Sequence, residues 1–100
     1  MNFDEFQSAA RRTINPALNE RDRLLDAAMG LAEEAAEVSG LVRKRLFQDR
    51  GDDTRIIEEL GDALWCLAMT ADSLGTTLDA VARANVQKLA RRHPNGFRSP

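Results

Sequence analysis

Residues that commonly build covalent or histidine-based sites are scarce in this sequence. Its 100 residues include a single cysteine, Cys66, and a single histidine, His93. One cysteine excludes an internal disulfide and a cysteine-based zinc cluster, and one histidine argues against a His-rich metal site or a Ser-His-Asp triad within the chain. Any catalytic or metal-binding chemistry is therefore expected to use other side chains.

Long apolar runs are also missing. No stretch approaches the roughly 18–20 apolar residues that a membrane-spanning helix needs, and the acidic start MNFDEF lacks the apolar core of a secretory signal. We therefore expect a cytoplasmic protein with no membrane partner. The net charge of −2 gives no strong overall attraction for nucleic acid, and no helix-turn-helix signature accompanies the basic end of the last predicted helix. No nucleic-acid partner is expected.

Aromatic residues make up only 5% of the chain, whereas alanine and leucine dominate, and this composition favours helices over sheet. Apolar residues recur at the helical period in four segments, and no segment shows strand alternation. The predicted helices run from about Asn2 to Ile14, from about Glu20 to Phe47, from a cap within 52–54 to about Leu74, and from a cap at Thr76 or Thr77 to about Arg92. Short loops between the last three helices predict antiparallel packing.

We therefore predict an all-α fold, a four-helix antiparallel bundle unit that is completed by oligomerisation, because 100 residues bury only a modest core. A single domain is predicted over residues 1–100, with its core at about 20–92 and a breaker-rich tail from His93. The core stripe of the second helix is predicted to centre near Leu24, Ala28, Ala35 and Val42.

Four carboxylates form the most informative pattern in the chain, two pairs that are each spaced i, i+3 on a predicted helix. The pairs are Glu34 with Glu37 and Glu59 with Asp62. Helical geometry places them at the margins of the apolar stripes of two consecutive helices, while Glu33 and Glu58 point away. Like charges this close repel unless a cation lies between them, and hard oxygen ligands suit Mg²⁺ or Mn²⁺. From this pattern alone, a metal site and two solvated helix faces both stay open.

Polar residues on the last predicted helix form a second candidate set. Asn85, Lys88 and Arg92 share a face with apolar residues. This indicates either snorkelling and ion pairing at a helix boundary or the binding of substrate phosphate. Lys44 lies in a basic run near the end of the second helix, where a solvated helix end and a phosphate clamp are the alternatives. Trp65 is assigned to a subunit interface rather than to base stacking.

In their order along the chain, these residues resemble the MazG-type all-α nucleotide pyrophosphohydrolases, which are marked by an ExxE motif, a spacer and an ExxD motif. The match here is EAAE at 34–37 and ELGD at 59–62, with twenty-one residues between them. The resemblance covers about residues 24 to 97 and includes Gly61 and the pair Asn85 and Lys88.

The resemblance implies Mg²⁺-dependent hydrolysis of a nucleoside triphosphate to the monophosphate and pyrophosphate, with Mn²⁺ as a possible substitute and nucleotide-pool housecleaning as the role. The residues implied to bind the metal are Glu34, Glu37, Glu59 and Asp62. One of these carboxylates would accept a proton from the attacking water, and Glu37 is our choice. The residues implied to hold substrate phosphate are Asn85 and Lys88, with Lys44 and Arg92 as further candidates. Similar proteins form homodimers or homotetramers in which neighbouring subunits complete the pocket.

The alternative function is a non-catalytic helical oligomer that binds nucleotide or a protein partner. A di-iron carboxylate bundle is discarded, because it needs Glu-x-x-His pairs and no histidine stands three residues after a glutamate. The chain also lacks the larger insertions of the dimeric dUTPase-like branch, so the resemblance does not imply strict dUTP specificity.

Overall fold

The computed structural model describes residues 1–97 and contains four α-helices. Their bounds are α1 (Phe3–Arg11), α2 (Glu20–Phe47), α3 (Asp53–Ser73) and α4 (Leu78–Arg92). No β-strand occurs among these 97 residues, so the predicted all-α class with four helices is confirmed. Residues 98–100, the end of the predicted tail, lie outside the described range.

A side-chain cap begins each helix. Asn2, Asn19, Asp52 and Thr77 each accept a hydrogen bond from a backbone N–H in the first turn of the helix that follows. These bonds satisfy donors that have no partner inside the helix. Short polar residues at these places made the starts of α3 and α4 predictable.

The first helix is shorter than predicted and ends at Arg11 instead of near Ile14. Its last turn tightens, because the N–H of Thr13 donates to the carbonyl of Ala10 at 2.9 Å. The hydroxyl of Thr13 donates to the same carbonyl at 2.7 Å. Thr13 therefore closes the helix before the Asn15-Pro16 break that the sequence indicated.

Helices α2 and α3 form the largest packed unit and carry the candidate site. Arg45 forms an ion pair with Asp53 beside the connecting loop. Further along, a Cβ on Gly30 would lie 3.1 Å from the Sγ atom of Cys66. The contact beside the loop joins residues 45 and 53, and the contact further from the loop joins residues 30 and 66. The two helices therefore run side by side in opposite directions.

Small side chains fill the core that joins α1, α3 and the beginning of α4 to α2. Its buried members are Ala10, Ala27, Ala68, Met69 and Leu78, with Phe6, Ile14, Leu64 and Trp65 packed against them. Gln7 is buried with them although it is polar. Because these residues are mostly small, the core brings the helix backbones close together without large side chains between them.

The predicted core stripe of α2 was wrong by about one residue. Ala27 and Leu41 are buried, whereas Ala28, Ala35 and Val42 are exposed. The helix carries two apolar rows, and the row that faces α3 is the buried one. The second row stays on the surface within the single chain, and it contains Leu25, Met29, Val42 and Leu46.

The last helix is packed only at its beginning. Leu78 is buried, but every residue from Arg83 to Arg92 is exposed. Among the described residues, α4 contacts α1 and α3 and makes no packing contact with α2. Closure of a four-helix bundle by oligomerisation therefore stays a prediction. None of the helices within residues 1–97 has the length and apolar character that a bilayer crossing requires.

Candidate metal centre

The paired carboxylates of α2 and α3 meet where the two helices face each other. Carboxylate oxygens of Glu34, Glu59 and Asp62 all lie within 4.8 Å of one another. The antiparallel packing produces this arrangement, because it sets the ExxE turn of α2 opposite the ExxD turn of α3. Three oxygen ligands at such mutual distances match the first shell of a small divalent cation.

Two oxygens in this group are buried and have no partner. Glu34 Oε2 and Glu59 Oε2 accept no hydrogen bond from any described residue, although they are shielded from solvent. A buried carboxylate oxygen without a donor costs free energy unless a proton or a cation neutralises it. Both glutamates are half-buried, with one carboxylate oxygen of each shielded from solvent.

The fourth carboxylate joins the group through Glu59. Contact with the Glu59 carboxyl raises the pKa of Glu37, and the negative charge of Glu59 raises it further. The pKa of Glu59 is raised in turn, mainly by its contact with Glu34. Carboxylates that share a site in this way cannot all ionise without repulsion. The pattern is that of a cluster that favours either a shared proton or a bound cation.

The chemistry of these four side chains fits Mg²⁺ or Mn²⁺. All the donors are carboxylate oxygens, the ligands that hard divalent cations prefer, and no soft sulfur ligand is close enough to join the group of three. A cation here would satisfy both unpartnered oxygens and remove the repulsion together. Glu33 and Glu58, the other member of each EE doublet, are exposed.

The residues proposed to hold phosphate are not joined to the carboxylates within the single chain. Asn85, Lys88 and Arg92 are exposed on the part of α4 that projects beyond the core, and Lys44 is exposed in the last turn of α2. Within residues 1–97, none of the three cations forms an ion pair with a carboxylate. A substrate or a neighbouring subunit would have to bring these groups to the acids.

One cation near the site was missed in the sequence. Arg55 is close enough for its charge to lower the pKa of Glu37, against the larger upward effect of Glu59. It stands four residues before Glu59, so the two side chains project from the same face of α3. That spacing was available in the sequence and identifies Arg55 as a cation at the border of the carboxylate cluster.

A cavity of about 240 Å³ opens directly beside the carboxylates. Its lining residues are Asp26, Gly30, Glu34, Asp62, Trp65 and Cys66. The indole N–H of Trp65 donates to the hydroxyl of Thr13 at 2.7 Å, so the ring is fixed from the side of α1. Trp65 is half-buried in its own subunit and borders the candidate site, and its place in a subunit interface stays a prediction.

A comparison with protein families places this geometry in context. The model of the MazG nucleotide pyrophosphohydrolase domain matches residues 24–97, which include α2, α3, α4 and all four carboxylates. The chain belongs to the MazG nucleotide pyrophosphohydrolase family. The resemblance inferred from the motifs is thereby confirmed, and with it the assignment to a family that acts on nucleotides.

Two relatives have similar lengths but carry no assigned activity in their names. The chain is 35% identical to the Gene 37 protein of Mycobacterium phage L5, an alignment that covers 96% of this chain and 92% of the phage protein. It is also 35% identical to the uncharacterized protein YvdC of Bacillus subtilis (strain 168), over 62% of this chain and 68% of YvdC. No solved structure matches the chain. The chemistry of this MazG domain must therefore be argued from its own residues.

Proposed function

We propose that this MazG domain is an Mg²⁺-dependent nucleoside triphosphate pyrophosphohydrolase that converts a (d)NTP and water to the (d)NMP and pyrophosphate. The observation that carries the proposal is the cluster of Glu34, Glu59 and Asp62, in which two buried oxygens have no partner. Those oxygens need either a shared proton or a cation, and a cation that accompanies a triphosphate would satisfy both of them. In a cell, such an enzyme would cleanse the nucleotide pool.

The residues proposed to hold the cation are Glu34, Glu37, Glu59 and Asp62. When bound, Mg²⁺ would neutralise the triphosphate and polarise the phosphorus under attack. The antiparallel pair of helices fixes the four carboxylates before substrate arrives, so little reorganisation is needed at the moment of reaction.

The proposed reaction breaks one bond and forms one. A water oxygen attacks the α-phosphorus, the bond from that phosphorus to the oxygen bridging to the β-phosphorus breaks, and pyrophosphate leaves. Glu37 is our candidate for the group that accepts the proton of the water, because it is exposed at the edge of the cluster, where a water can reach it. A proton acceptor must lie within hydrogen-bond reach of the water that it activates.

Phosphate oxygens are proposed to bind Asn85 and Lys88, with Lys44 and Arg92 as further contacts. Charge-assisted hydrogen bonds from such groups orient a triphosphate and offset its charge. Arg55, at the border of the cluster, is an additional candidate for the same role. Because α4 makes no packing contact with α2 in the single chain, the α4 residues are proposed to serve the site of a neighbouring copy.

A homodimer or homotetramer is therefore part of the proposal. The radius of gyration of 16.2 Å is larger than the roughly 13 Å of a compact chain of this length. Large apolar side chains on three helices are exposed, among them Met29, Leu60 and Leu89. Surface of this kind is usually covered by another protein surface.

Since the proposed substrates belong to the nucleotide pool, we place the enzyme in the cytoplasm as one single-domain unit per subunit.

A panel of the ribo- and deoxyribonucleoside triphosphates with Mg²⁺ tests the function, with pyrophosphate release as the readout. Wild type is expected to release pyrophosphate, and Glu37→Gln is expected to lose at least about 100-fold in kcat. Glu33→Gln and Glu58→Gln are matched controls, because each removes one exposed carboxylate next to a site residue without touching the cluster. Both should keep activity near that of wild type.

The alternative, a non-catalytic oligomer that binds nucleotide or a protein partner, predicts a different result. Wild type and Glu37→Gln would then be equally inert with every triphosphate. Under the enzyme hypothesis, replacing Mg²⁺ by a chelator abolishes turnover, and Mn²⁺ restores part of it. Equal inertness of wild type across the panel with either metal would end the enzyme hypothesis.

A further inference from the structure

The cavity beside the carboxylates extends beyond the proposed metal site. Glu34 and Asp62 of the proposed metal site line it together with Asp26 and Trp65, which do not belong to that site. Asp26 and Glu34 are eight residues apart on α2, which corresponds to about 12 Å along the helix axis. Gly30, midway between them on α2, also lines the cavity, and so does Cys66, which it faces.

The size of the cavity limits what it can hold. Its volume of about 240 Å³ is below the roughly 300–1,000 Å³ of pockets that enclose drug-sized ligands. It is therefore suited to a flat ring or a sugar and not to a whole nucleotide. A triphosphate held at the carboxylate end would direct the rest of the nucleotide along this cavity.

Trp65 can offer only apolar ring surface to a ligand. The indole has a single polar group, its N–H, and that group is already used by Thr13. The same hydrogen bond fixes the ring, so its surface is prepared before a ligand arrives. Flat aromatic ligands such as nucleobases pack against ring surfaces of this kind.

Asp26 is the lining carboxylate that does not belong to the proposed metal site, and it is exposed. Its carboxylate makes no hydrogen bond or ion pair with any residue in the range 1–97. Asp26 lines the cavity, whereas Glu33 on the same helix does not. An ionised carboxylate only accepts hydrogen bonds, and its two oxygens can accept a pair of N–H donors side by side.

We propose that this cavity is the base subsite and that Asp26 selects guanine, whose ring N–H and exocyclic amino group present two adjacent donors. Uracil presents one N–H between two carbonyl oxygens, which the carboxylate would repel. Adenine and cytosine offer an amino group beside an acceptor nitrogen and are intermediate. The inference rests on the proposed function and adds a substrate class to it, guanine nucleotides.

Hydrolysis by the full-length protein with Mg²⁺ tests the selection, with kcat/KM for GTP, ATP, CTP and UTP as the readout. Wild type is expected to favour GTP over UTP by about 10- to 100-fold, the range for hydrogen bonds to a charged group. Asp26→Asn should reduce the GTP-to-UTP ratio by a similar factor. The control is Glu33→Gln, which removes a charge from the same helix outside the cavity and should leave the ratio unchanged.

A binding measurement separates failure of the subsite from failure of the enzyme function. Trp65 is the only tryptophan of the chain, so its fluorescence reports on a ligand in the cavity. GMP with Mg²⁺ is expected to change the fluorescence at concentrations at least tenfold lower than UMP, and Asp26→Asn should remove the difference.

The possible outcomes are distinct. Hydrolysis without base preference, or an equal loss for all four triphosphates in Asp26→Asn, overturns the subsite while the enzyme function stands. If no triphosphate is hydrolysed, the enzyme function fails, and GMP-selective binding that depends on Asp26 still supports the subsite. Equal binding of GMP and UMP overturns it.

Discussion

Gln7 and Leu78, seventy-one residues apart, are joined by a buried hydrogen bond in which the backbone N–H of Leu78 donates to Gln7 Oε1 at 2.7 Å. The side-chain amide of Gln7 also donates to the carbonyl of Thr76 at 3.1 Å. Leu78 is the first residue of α4, so its N–H has no partner within the helix. A side chain of α1 therefore caps α4 and fixes the direction in which that helix leaves the core.

Replacing this glutamine should destabilise the whole protein. In Gln7→Leu, the N–H of Leu78 and the carbonyl of Thr76 lose their partners inside the core, at a cost of about 2–4 kcal/mol in the free energy of unfolding. Urea denaturation followed by circular dichroism measures the change. Ser8→Ala, one residue further on the exposed face, should stay within about 0.5 kcal/mol of wild type. A loss below about 1 kcal/mol in Gln7→Leu would show that this cap is dispensable.

The role of Gln7 marks a limit of what the sequence could predict. The helices and the carboxylate pairs follow from local periodicity and spacing, and residues within a few positions of each other determine both. The burial of Gln7 depends on partners such as Asp72 and Thr76, at the far end of the chain. A lone glutamine on an amphipathic helix carries no local sign of such partners.

The orientation of α2 was unpredictable for a different reason. Its two apolar rows are both compatible with a helix that has one buried face, and α3 contacts the row that contains Ala27 and Leu41. Helical spacing predicts that the two carboxylates of each pair project from one side of their helix. How deeply each oxygen is buried depends on the packing of α3.

Metal-free protein should lose stability as the pH rises towards neutral. The pKa values of Glu37 and Glu59 are raised in the folded state, so the folded protein binds protons more tightly than the unfolded chain. Their contribution is fully present below the ordinary glutamate pKa of about 4.3. It is lost as the pH rises through the higher folded values, because the carboxylates then repel one another.

The variant Glu59→Gln tests both the repulsion among the carboxylates and the stabilisation of the protein by Mg²⁺. In chelator at pH 7, the variant is expected to melt at a higher temperature than wild type, because one negative charge has left the cluster. At pH 4 the difference should vanish. Mg²⁺ should raise the melting temperature of wild type and leave Glu59→Gln nearly unchanged. Thermal melts at both pH values, with Glu58→Gln as the control, measure this; a variant less stable than wild type at pH 7 would contradict the repulsion.

Arg55 should tune the pH dependence of catalysis. Its positive charge lowers the pKa of Glu37, so Arg55→Gln should raise that pKa. If Glu37 must be deprotonated to accept a proton, the acidic limb of the kcat profile moves to higher pH in the variant. A pH–rate series in Mg²⁺ measures the shift, with the exposed Arg12→Gln as a control that leaves the profile in place. An unmoved acidic limb would remove Arg55 or Glu37 from this role.

Contact between Gly30 and Cys66 should limit substitution in the lining of the cavity. A Cβ at Gly30 would lie 3.1 Å from the sulfur of Cys66, closer than ordinary van der Waals contact. Gly30→Ala should therefore destabilise the protein in spite of a gain of about 1 kcal/mol in helix propensity. In a Cys66→Ala background the same substitution should be stabilising. A double-mutant cycle of urea denaturation measures the coupling between the two positions, which is expected at about 1–2 kcal/mol. Additive changes in the free energy of unfolding would show that the helices move apart at no cost to make room for the added Cβ.

Subunit mixing tests whether α4 serves the site of a neighbouring copy. Lys88 is exposed on a helix that makes no packing contact with α2, so Lys88→Ala and Glu37→Gln should each be inactive alone. In a dimer whose sites combine both copies, a mixed dimer holds one site with neither substitution. Unfolding and refolding an equal mixture should then restore about a quarter of wild-type activity.

Mixing has two informative controls. Glu37→Gln mixed with Glu34→Gln should stay inactive in such a dimer, since both substitutions fall on the same helix and no site escapes them. Leu89→Glu, which places a charge on the exposed apolar row of α4, should shift the protein towards monomer in light scattering, whereas Gln87→Glu adds the same charge to a polar position. Restored activity requires that the acids and Lys88 of one site come from different chains. The contrary outcome is a mixture of Lys88→Ala and Glu37→Gln that stays inactive although each variant still assembles. Both groups of one site would then come from a single subunit, and α4 would have to turn back onto α2 when substrate binds.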